Sequence, residues 1–272
     1  MPITEIQRLK RKESIGGSDV AAILGLDPYK TAYDVWVDKV YDTKPINSKP
    51  MDAGTKFESG VLDFATEQLG HLAVNQTRYA EGLPIVSNID AIRTEGDLAD
   101  VECKTAGLFG PIHQRWGKAG TDEVPSDKII QCQTHMLCDN KDLCYLAAFL
   151  GDGRGFVMYK IARNDKIIQR ISEECTKFWN ENVLTKIAPS GSLYTPDTFE
   201  KIKRVPKKTT EISGDLIEKY LQINKKCSML NKMKTQARAD ILKSMGDAEF
   251  ANSDKGTVDY TGRFNVKGLQ NG

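Results

Sequence analysis

The chain has 272 residues, a net charge of +1 and 40% hydrophobic residues, which are ordinary values for a globular protein. No apolar run approaches the roughly 20 residues that cross a bilayer, and the N-terminus lacks the apolar core of a secretory signal. We therefore expect a cytoplasmic protein with no membrane segment. The six cysteines include no C-x-x-C pair, so they are expected to be reduced core residues rather than metal ligands.

Charge is distributed unevenly along the chain. Residues 198–245 hold 12 Lys and Arg against 5 Asp and Glu, so the remainder holds 26 against 32. An acidic body with a basic appendage suits a protein that gathers carboxylates around a metal and binds phosphate elsewhere. A solvated helix surface explains the same charges equally well.

Residues 1–190 are predicted to form one mixed α/β domain that opens with helices. Ser18 is a potential N-cap of a short helix that stops at Gly25, and Thr31 is a potential N-cap of a second helix. A longer helix is predicted over 51–69, where apolar residues recur at helical spacing.

Short segments of alternating character, separated by Gly or Asn, then predict three strands over 71–80, 83–93 and 97–105. A helix over 126–138 follows. Two more strands joined by a glycine-rich turn, and a long helix capped by Asn164, complete the domain. This order predicts a central mixed β-sheet flanked by helices.

A Pro- and Ser-containing segment at 189–196 marks a boundary, so residues 191–272 are expected to form a basic helical extension that ends in a small β-hairpin. Within 211–245, apolar residues recur at alternating spacings of four and three, which is typical of a coiled coil, although Lys234 interrupts the series. Because the stripe is short, we expect it to pack on the body or on another subunit.

Charged residues lie at the ends of two predicted strands. Residues two apart in a strand face the same side, so Glu102 and Lys104 project together while Cys103 turns into the core. Pairing of the strands brings Asp90 beside Glu102. Mg²⁺ is usually bound by one or two carboxylates, with water and phosphate oxygens as its other ligands. The backbone carbonyl of Cys103 is a further candidate ligand.

Such a site suits phosphodiester hydrolysis. A divalent metal neutralises developing charge and lowers the pKa of a bound water, and the Lys104 ammonium orients that water and stabilises the transition state. Glu58, in the helix upstream, is a candidate third carboxylate. A surface salt-bridge ladder gives the same pattern, but charges in an apolar strand would be expensive to bury unpaired.

Four ordered motifs resemble those of the lambda-exonuclease/YqaJ-type viral recombination nucleases, members of the restriction-endonuclease-like PD-(D/E)XK superfamily. The resemblance covers about residues 8–190. The motifs are R-x(6)-S within RKESIGGSDVAAILG, G-x-x-x-E within GTKFES, the D…E-x-K described above, and Q-x-Q within IIQCQTHM.

The resemblance implies a role for each matching residue. Asp90 and Glu102 correspond to the principal metal ligands, and Glu58 to a further ligand, direct or through water. Lys104 corresponds to the water-activating lysine. Gln131 resembles the family's active-site helix glutamine, which lies near the metal and the attacked strand.

The remaining matches concern DNA. Arg11 and Ser18 match the pair that holds the terminal 5′-phosphate, whereas the residues alone favour a solvated charge and an N-cap. Gln133 is a second DNA-contact candidate on the glutamine helix. Lys128 stands where the family often has Tyr, which implies either a phosphate contact in place of stacking or a different local register.

The function implied is that of a Mg²⁺-dependent exonuclease, with Mn²⁺ as a substitute metal, that degrades linear double-stranded DNA from 5′ to 3′. The 3′ single-stranded tails then pass to a single-strand annealing protein in phage-type recombination in the bacterial host. The family also implies a homo-oligomer, commonly a trimeric ring. An endonuclease on the same fold and a catalytically silent DNA-binding protein are the alternatives.

Four further residues have side chains of types that bind DNA or metal. Trp116 and Phe109 are secondary candidates for DNA contact in the region after the catalytic strand. His113 and His135 each lie apart from other candidate ligands, so both are expected to be surface or core histidines rather than metal ligands.

Overall fold

The computed structural model describes residues 12–44, 49–108, 112 and 115–268. Three residues weighed above, Arg11, Phe109 and His113, therefore lie outside the described residues. The chain divides into two compact units, Met1–Arg204 and Val205–Gly272. None of the helices in the described part combines the length and the apolar character that crossing a membrane requires.

The helices of the first unit begin where the sequence offers caps. Thr31 caps α2 through a reciprocal capping box, in which its hydroxyl accepts the Asp34 N–H at 3.2 Å. Asn164 caps α5 by accepting the N–H groups of Lys166 and Ile167. The helices are α1 Gly17–Ile23, α2 Ala32–Val40, α3 Lys49–Leu69, α4 Ser126–Asp139, α5 Asp165–Phe178 with a π-helical continuation over Trp179–Val183, and α6 Pro196–Glu200.

The predicted mixed sheet is confirmed, but in the residues that the structure describes it has six strands, one more than the five expected from the sequence. They are β1 Ile15–Gly16, β2 Leu72–Tyr79, β3 Ile85–Arg93, β4 Ala99–Ala106, β5 Leu143–Leu150 and β6 Gly155–Ala162. The order is β1-β3-β4-β5-β6, with β2 also paired to β3. β4 runs parallel to β5 from Asp100 to Ala106, whereas β3 and β4 are antiparallel and pair only at Ala91–Arg93 with Ala99–Val101.

One edge of β3 is shared by two strands that leave a gap between them. β1 pairs with Ile85 and Val86 at the start of β3, and β4 pairs with Ala91 to Arg93 at its end. Val86 also pairs with Tyr79 of β2, so β1 and β2 lie on opposite edges. Residues 87–90 of β3 consequently face the opening between β1 and β4, which is where the candidate site lies.

Helices cover both faces of the sheet. On one face, Val61 and Ala65 of α3 pack with Val101, Cys103 and Ala147. On the other face, α4 contributes Cys132 and Met136 to a cluster with β5 and β6. The alternation of β4 therefore turns Cys103 toward α3 and leaves Glu102 and Lys104 on the α4 side.

One expectation for the start of the fold needs correction. Ser18 does not cap α1: the helix begins at Gly17, Gly16 is its N-cap, and Ser18 is exposed in the first turn. The reason is the two-residue strand β1, which the sequence analysis missed and which brings the chain into the helix earlier. Gly25 ends the helical segment with a φ of 70°, as expected.

The boundary between the units falls after Arg204, later than the residue 190 expected from the Pro and Ser residues. The segment that follows α5 returns to the first unit, because Ile202 bridges to Thr43 and Lys201 forms an ion pair with Asp38 at 2.9 Å. Pro196 begins the short helix α6 rather than a linker.

The second unit consists of one long helix and a small antiparallel sheet. The helix α7 covers Gly214–Met245, with Ser213 as its cap. The sheet contains β7 Phe250–Ser253, β8 Gly256–Asp259 and β9 Asn265–Gly268 in that order. The small β-hairpin predicted for this extension is confirmed, with its turn between Ser253 and Gly256, and β9 adds a third strand that the sequence did not predict.

Candidate active site

The site begins where β3 and β4 part. Beyond the pair Ala91–Val101 the two strands no longer form a ladder, and the carboxylate of Asp90 fills the opening. Asp90 Oδ2 accepts the backbone N–H of Cys103 at 2.7 Å. A side chain thus takes the hydrogen bond that a strand backbone would otherwise accept, and it fixes the Asp90 carboxylate against β4.

Glu102 is the buried centre of the cluster, with 2% of its surface exposed. Its Oε1 accepts a hydrogen bond from Gln131 Nε2 at 2.6 Å and forms an ion pair with the Lys104 ammonium. Its Oε2 lies 2.6 Å from His135 Nε2. Burial acts to raise the pKa of Glu102, but Lys104 and His135 outweigh it and lower that pKa to about 2. Glu102 is therefore ionised at neutral pH.

Asp90 and Glu102 are close enough to repel each other. Burial, and then the negative charge of Glu102, raise the pKa of Asp90 to about 7, even though Lys104 and the Cys103 N–H act in the other direction. Burial would lower the pKa of Lys104, yet the charges of Glu102 and Asp90 raise it above its usual value. One ammonium is therefore shared between two carboxylates.

His135 links this cluster to the start of the fold. Its Nδ1 is hydrogen-bonded to Ser87 Oγ, in the gap of β3, and both side chains are buried. Behind Ser87 lies Gly17 of α1, where an added Cβ would stand 2.7 Å from the Ser87 hydroxyl. The contacts run from Gly17 through Ser87 and His135 to Glu102.

The expectation that His135 is a surface or core histidine was incomplete, because its ring is buried against the central carboxylate. The signal was present in the sequence. His135 lies four residues after Gln131, about one helical turn, so both side chains project from the same face of α4 toward Glu102.

Glu58 approaches from the opposite side of the sheet. It is half-buried on α3, the helix that packs against Cys103. Burial and the negative charges of Asp90, Glu102 and Glu58 together raise the pKa of the Cys103 thiol. The charges of three carboxylates therefore converge near Cys103 of β4, and the negative potential there favours a bound cation.

The donor set fits a hard divalent cation better than zinc. Among the residues that the structure describes, no three His, Cys, Asp or Glu side chains are grouped closely enough to hold a metal by themselves. Mg²⁺ needs no such cage, since it usually retains several waters and takes one or two carboxylates. Asp90 and Glu102, which repel each other, supply that number.

The other sequence candidates are placed apart from this cluster. Gln133 needs correction as a DNA contact: it is buried, its Nε2 donates to the Ala162 carbonyl, and its Oε1 accepts the Asn164 N–H. Two residues after Gln131 along a helix, it points roughly 200° away. Lys128 forms an ion pair with its neighbour Asp127.

Trp116 also needs correction, because it is buried against Tyr159, with ring centroids 5.7 Å apart, and is not a surface side chain available for DNA.

A second buried charge cluster was not expected from the sequence at all. Asp19 of α1 forms ion pairs with Lys30 at 2.8 Å and Lys39 at 2.9 Å. These pairs hold α1 to α2.

Comparisons with known proteins agree with this architecture. A family model described as the YqaJ-like viral recombinase domain matches residues 8–142. The uncharacterized protein YqaJ of Bacillus subtilis (strain 168) is 27% identical over 258 residues, which is 89% of this chain and 78% of that protein.

Two solved structures share the fold. The alkaline exonuclease LHK-Exo from Laribacter hongkongensis superposes with a TM-score of 0.53 at 19% identity, covering 68% of this chain and 94% of that one. The complex of LHK-Exo with dAMP gives a TM-score of 0.52 at 18% identity over 66% and 92% of the two chains. The likeness confirms a mixed sheet flanked by helices, and the residues Asp90 to His135 all lie within the matched family segment.

Proposed function

Because the chain belongs to the family of YqaJ-like viral recombinase domains, we propose that it is a metal-dependent exonuclease that acts on the ends of double-stranded DNA. One observation carries the proposal. Two mutually repelling carboxylates, Asp90 and Glu102, share the Lys104 ammonium at the opening between β3 and β4. Burying these charges destabilises the fold, and charged groups buried in this way cluster at functional sites. We therefore interpret them as groups that serve a bound ion and substrate.

Mg²⁺, with Mn²⁺ as a substitute, would supply charge neutralisation at the phosphodiester and lower the pKa of a water molecule. Asp90 and Glu102 would hold the ion, Glu58 would add a further carboxylate directly or through water, and the Cys103 carbonyl is a candidate ligand on β4. Asp90 is oriented for this task by the Cys103 N–H.

The protein's own residues have distinct roles in hydrolysis. Lys104, held by Glu102, would orient the attacking water and stabilise negative charge on the phosphate oxygens. Gln131 donates to the same carboxylate oxygen, and by the family resemblance its amide would lie near the attacked strand. His135 contacts the other oxygen and fixes the rotation of the carboxylate.

The 5′-to-3′ polarity rests on the resemblance of Arg11 and Ser18 to a pocket for the terminal phosphate. Ser18 is exposed in the first turn of α1, and this placement supports a polar contact more than a capping role. Transfer of 3′ tails to a single-strand annealing protein and assembly into a ring, commonly a trimer, belong to the same proposal. The structural neighbour LHK-Exo is an alkaline exonuclease.

One assay tests the proposal against its rivals. Linear duplex with a 5′-phosphate, linear duplex with a 5′-hydroxyl and closed circular DNA are each incubated with Mg²⁺ or with EDTA. We expect Mg²⁺-dependent loss of the phosphorylated linear DNA ahead of the other two. Cutting of the circular DNA would show that the protein is an endonuclease and not an exonuclease. If all three DNAs stay intact under all conditions, the protein binds DNA without cleaving it.

A further inference from the structure

The long helix α7 exposes an apolar stripe that nothing in the described part of the second unit, residues 205–268, covers along most of its length. The side chains at the core of this stripe are at least half exposed: Leu216 63%, Tyr220 70%, Ile223 50% and Leu230 62%. Contiguous exposed apolar surface of this kind marks an interaction site in a soluble protein. Only the C-terminal end is covered, where Met245 is buried and Arg238 lies over the Phe264 ring at 4.8 Å.

The stripe follows a heptad pattern along the helix. Its members alternate at spacings of four and three, which is the spacing of d and a positions in a coiled coil. The d positions are Leu216, Ile223, Leu230 and Ala237, and the a positions are Tyr220, Cys227, Lys234 and Ile241. The pattern spans the helix from its first turn to its last, so its partner is an extended helix of similar length.

A parallel pairing of two α7 helices is unfavourable. In a parallel, in-register pair each a residue meets its own copy, so Lys234 would face a second Lys234 inside an apolar seam. Two ammonium groups at contact repel, and neither has an acidic neighbour at the flanking positions. Tyr220 against Tyr220 and Ala237 against Ala237 would also place the two largest and the two smallest side chains together.

An antiparallel pairing with full overlap removes both problems. Residue a of one helix then faces residue d of the other, so Tyr220 lies opposite Ala237, Cys227 opposite Leu230 and Lys234 opposite Ile223. Large side chains meet small ones, and the Lys234 stem packs on Ile223 while its ammonium reaches solvent. At the flanking g positions, the same register brings Lys219 of one helix to Asp240 of the other, an attractive pair.

From this complementarity of size and charge we infer that α7 is a docking surface for a second copy of this chain, bound antiparallel through the stripe Leu216–Ile241. The pair has two-fold symmetry, so it would link chains of separate rings and is distinct from the contact that closes the ring proposed above. The inference concerns the second unit only and does not depend on the nuclease activity proposed for the first.

Disulfide trapping tests the register directly. In a Cys227→Ser background, two full-length variants are prepared, one with Tyr220→Cys and one with Ala237→Cys. The cysteines of the first unit remain, since all five are buried. Under mild oxidation, we expect a cross-linked dimer when the two variants are mixed and little from either variant alone, because a facing pair is within disulfide range only in the antiparallel register.

A matched pair of substitutions tests the stripe itself. Leu230→Glu puts a charge in the seam, whereas Met229→Glu adds the same charge to a neighbouring residue that is equally exposed, at 63%, but lies off the stripe. Sedimentation equilibrium should show a lower mass for Leu230→Glu than for wild type, and an unchanged mass for Met229→Glu.

Each remaining outcome would overturn the inference. Cross-linking of each single-cysteine variant by itself would indicate a parallel pair. Equal masses for the two glutamate variants, with no cross-link from the mixture, would show that a second copy does not occupy the stripe. A selective loss of duplex DNA binding in Leu230→Glu, at unchanged mass, would assign the stripe to DNA.

Discussion

His135 Nε2 and Glu102 Oε2 lie 2.6 Å apart, and both side chains are almost fully excluded from solvent. Because a carboxylate only accepts hydrogen bonds, the histidine carries its proton on Nε2 and donates. Its other nitrogen is hydrogen-bonded to Ser87, so the ring is held from both sides. The orientation of the proposed metal ligand is therefore set by a histidine that contacts no solvent.

Replacing this histidine tests that arrangement. His135→Ala should weaken Mg²⁺ binding by roughly 10- to 100-fold, as loss of such supporting contacts typically does. His135→Gln retains an N–H donor and should recover part of the affinity. Calorimetric titration with Mg²⁺ measures the effect without DNA. Excess Mg²⁺ should restore cleavage by His135→Ala, and equal Mg²⁺ affinity in wild type and His135→Ala would remove the histidine from the site.

Lys104→Ala should abolish cleavage while duplex binding persists. The ammonium is the cation shared by Glu102 and Asp90, and loss of a group that stabilises transition-state charge costs about 100- to 1,000-fold in rate. Single-turnover cleavage and a gel-shift assay measure the two properties. Lys160→Ala is the matched control, since Lys160 is 54% exposed and pairs with Asp97. Activity of Lys104→Ala within tenfold of wild type would exclude the lysine from chemistry.

Gly17→Ala should destabilise the fold, because the added methyl would lie 2.7 Å from Ser87 Oγ. Overpacking of this kind costs about 1–3 kcal/mol. Gly60→Ala in α3 is the control: its Cβ would meet Phe156 at an ordinary 3.8 Å, and alanine stabilises a helix interior by about 1 kcal/mol. Urea unfolding measures both. Adding Ser87→Ala to Gly17→Ala should reduce the penalty, and purely additive effects would refute the contact.

The ion pairs of Asp19 predict a pH dependence of stability. Burial acts to raise the pKa of Asp19, but Lys30 and Lys39 outweigh it and hold that pKa well below its usual 3.8. A carboxyl with a depressed folded-state pKa stabilises the fold above pH 3.8, and the contribution is lost as the pH falls toward the folded value. Asp19→Asn should therefore cost about 3–5 kcal/mol at neutral pH.

The measurement is urea unfolding of wild type and Asp19→Asn at several pH values in EDTA. The difference between them should be constant above about pH 5 and shrink as the pH falls below 4. A difference that stays the same down to pH 2 would show that the carboxylate charge does not stabilise the fold.

The regular elements were predictable because their signals are local. Thr31 and Asn164 both cap the helices expected of them, and the glycine-rich turn before Gly155 joins the expected hairpin. The alternation of β4 likewise predicted that Glu102 and Lys104 share a face and that Cys103 is core. These features depend on neighbours within a few residues.

The parts that the sequence did not predict depend on long-range contacts. β1 has two residues, and only its pairing with Ile85 and Val86 makes it a strand. Because of that pairing, α1 begins at Gly17, and Ser18 is not at the N-cap position expected for it. In the sequence His135 looks isolated, because its partners Glu102 and Ser87 are 33 and 48 residues away along the chain. Only the packing of α4 on the sheet brings the three residues together.

Because β4 pairs in parallel with β5, the proposed catalytic residues and the strand that supports them lie in different parts of the sequence. Every proposed ligand and donor between Glu58 and His135 precedes β5, yet all seven residues from Asp100 to Ala106 are aligned by that strand. Among homologous sequences, the region before residue 142 should therefore tolerate few changes of side-chain chemistry. The strands after it should exchange one aliphatic residue for another more readily, so the sequences of relatives should differ most in the strands whose only role is packing.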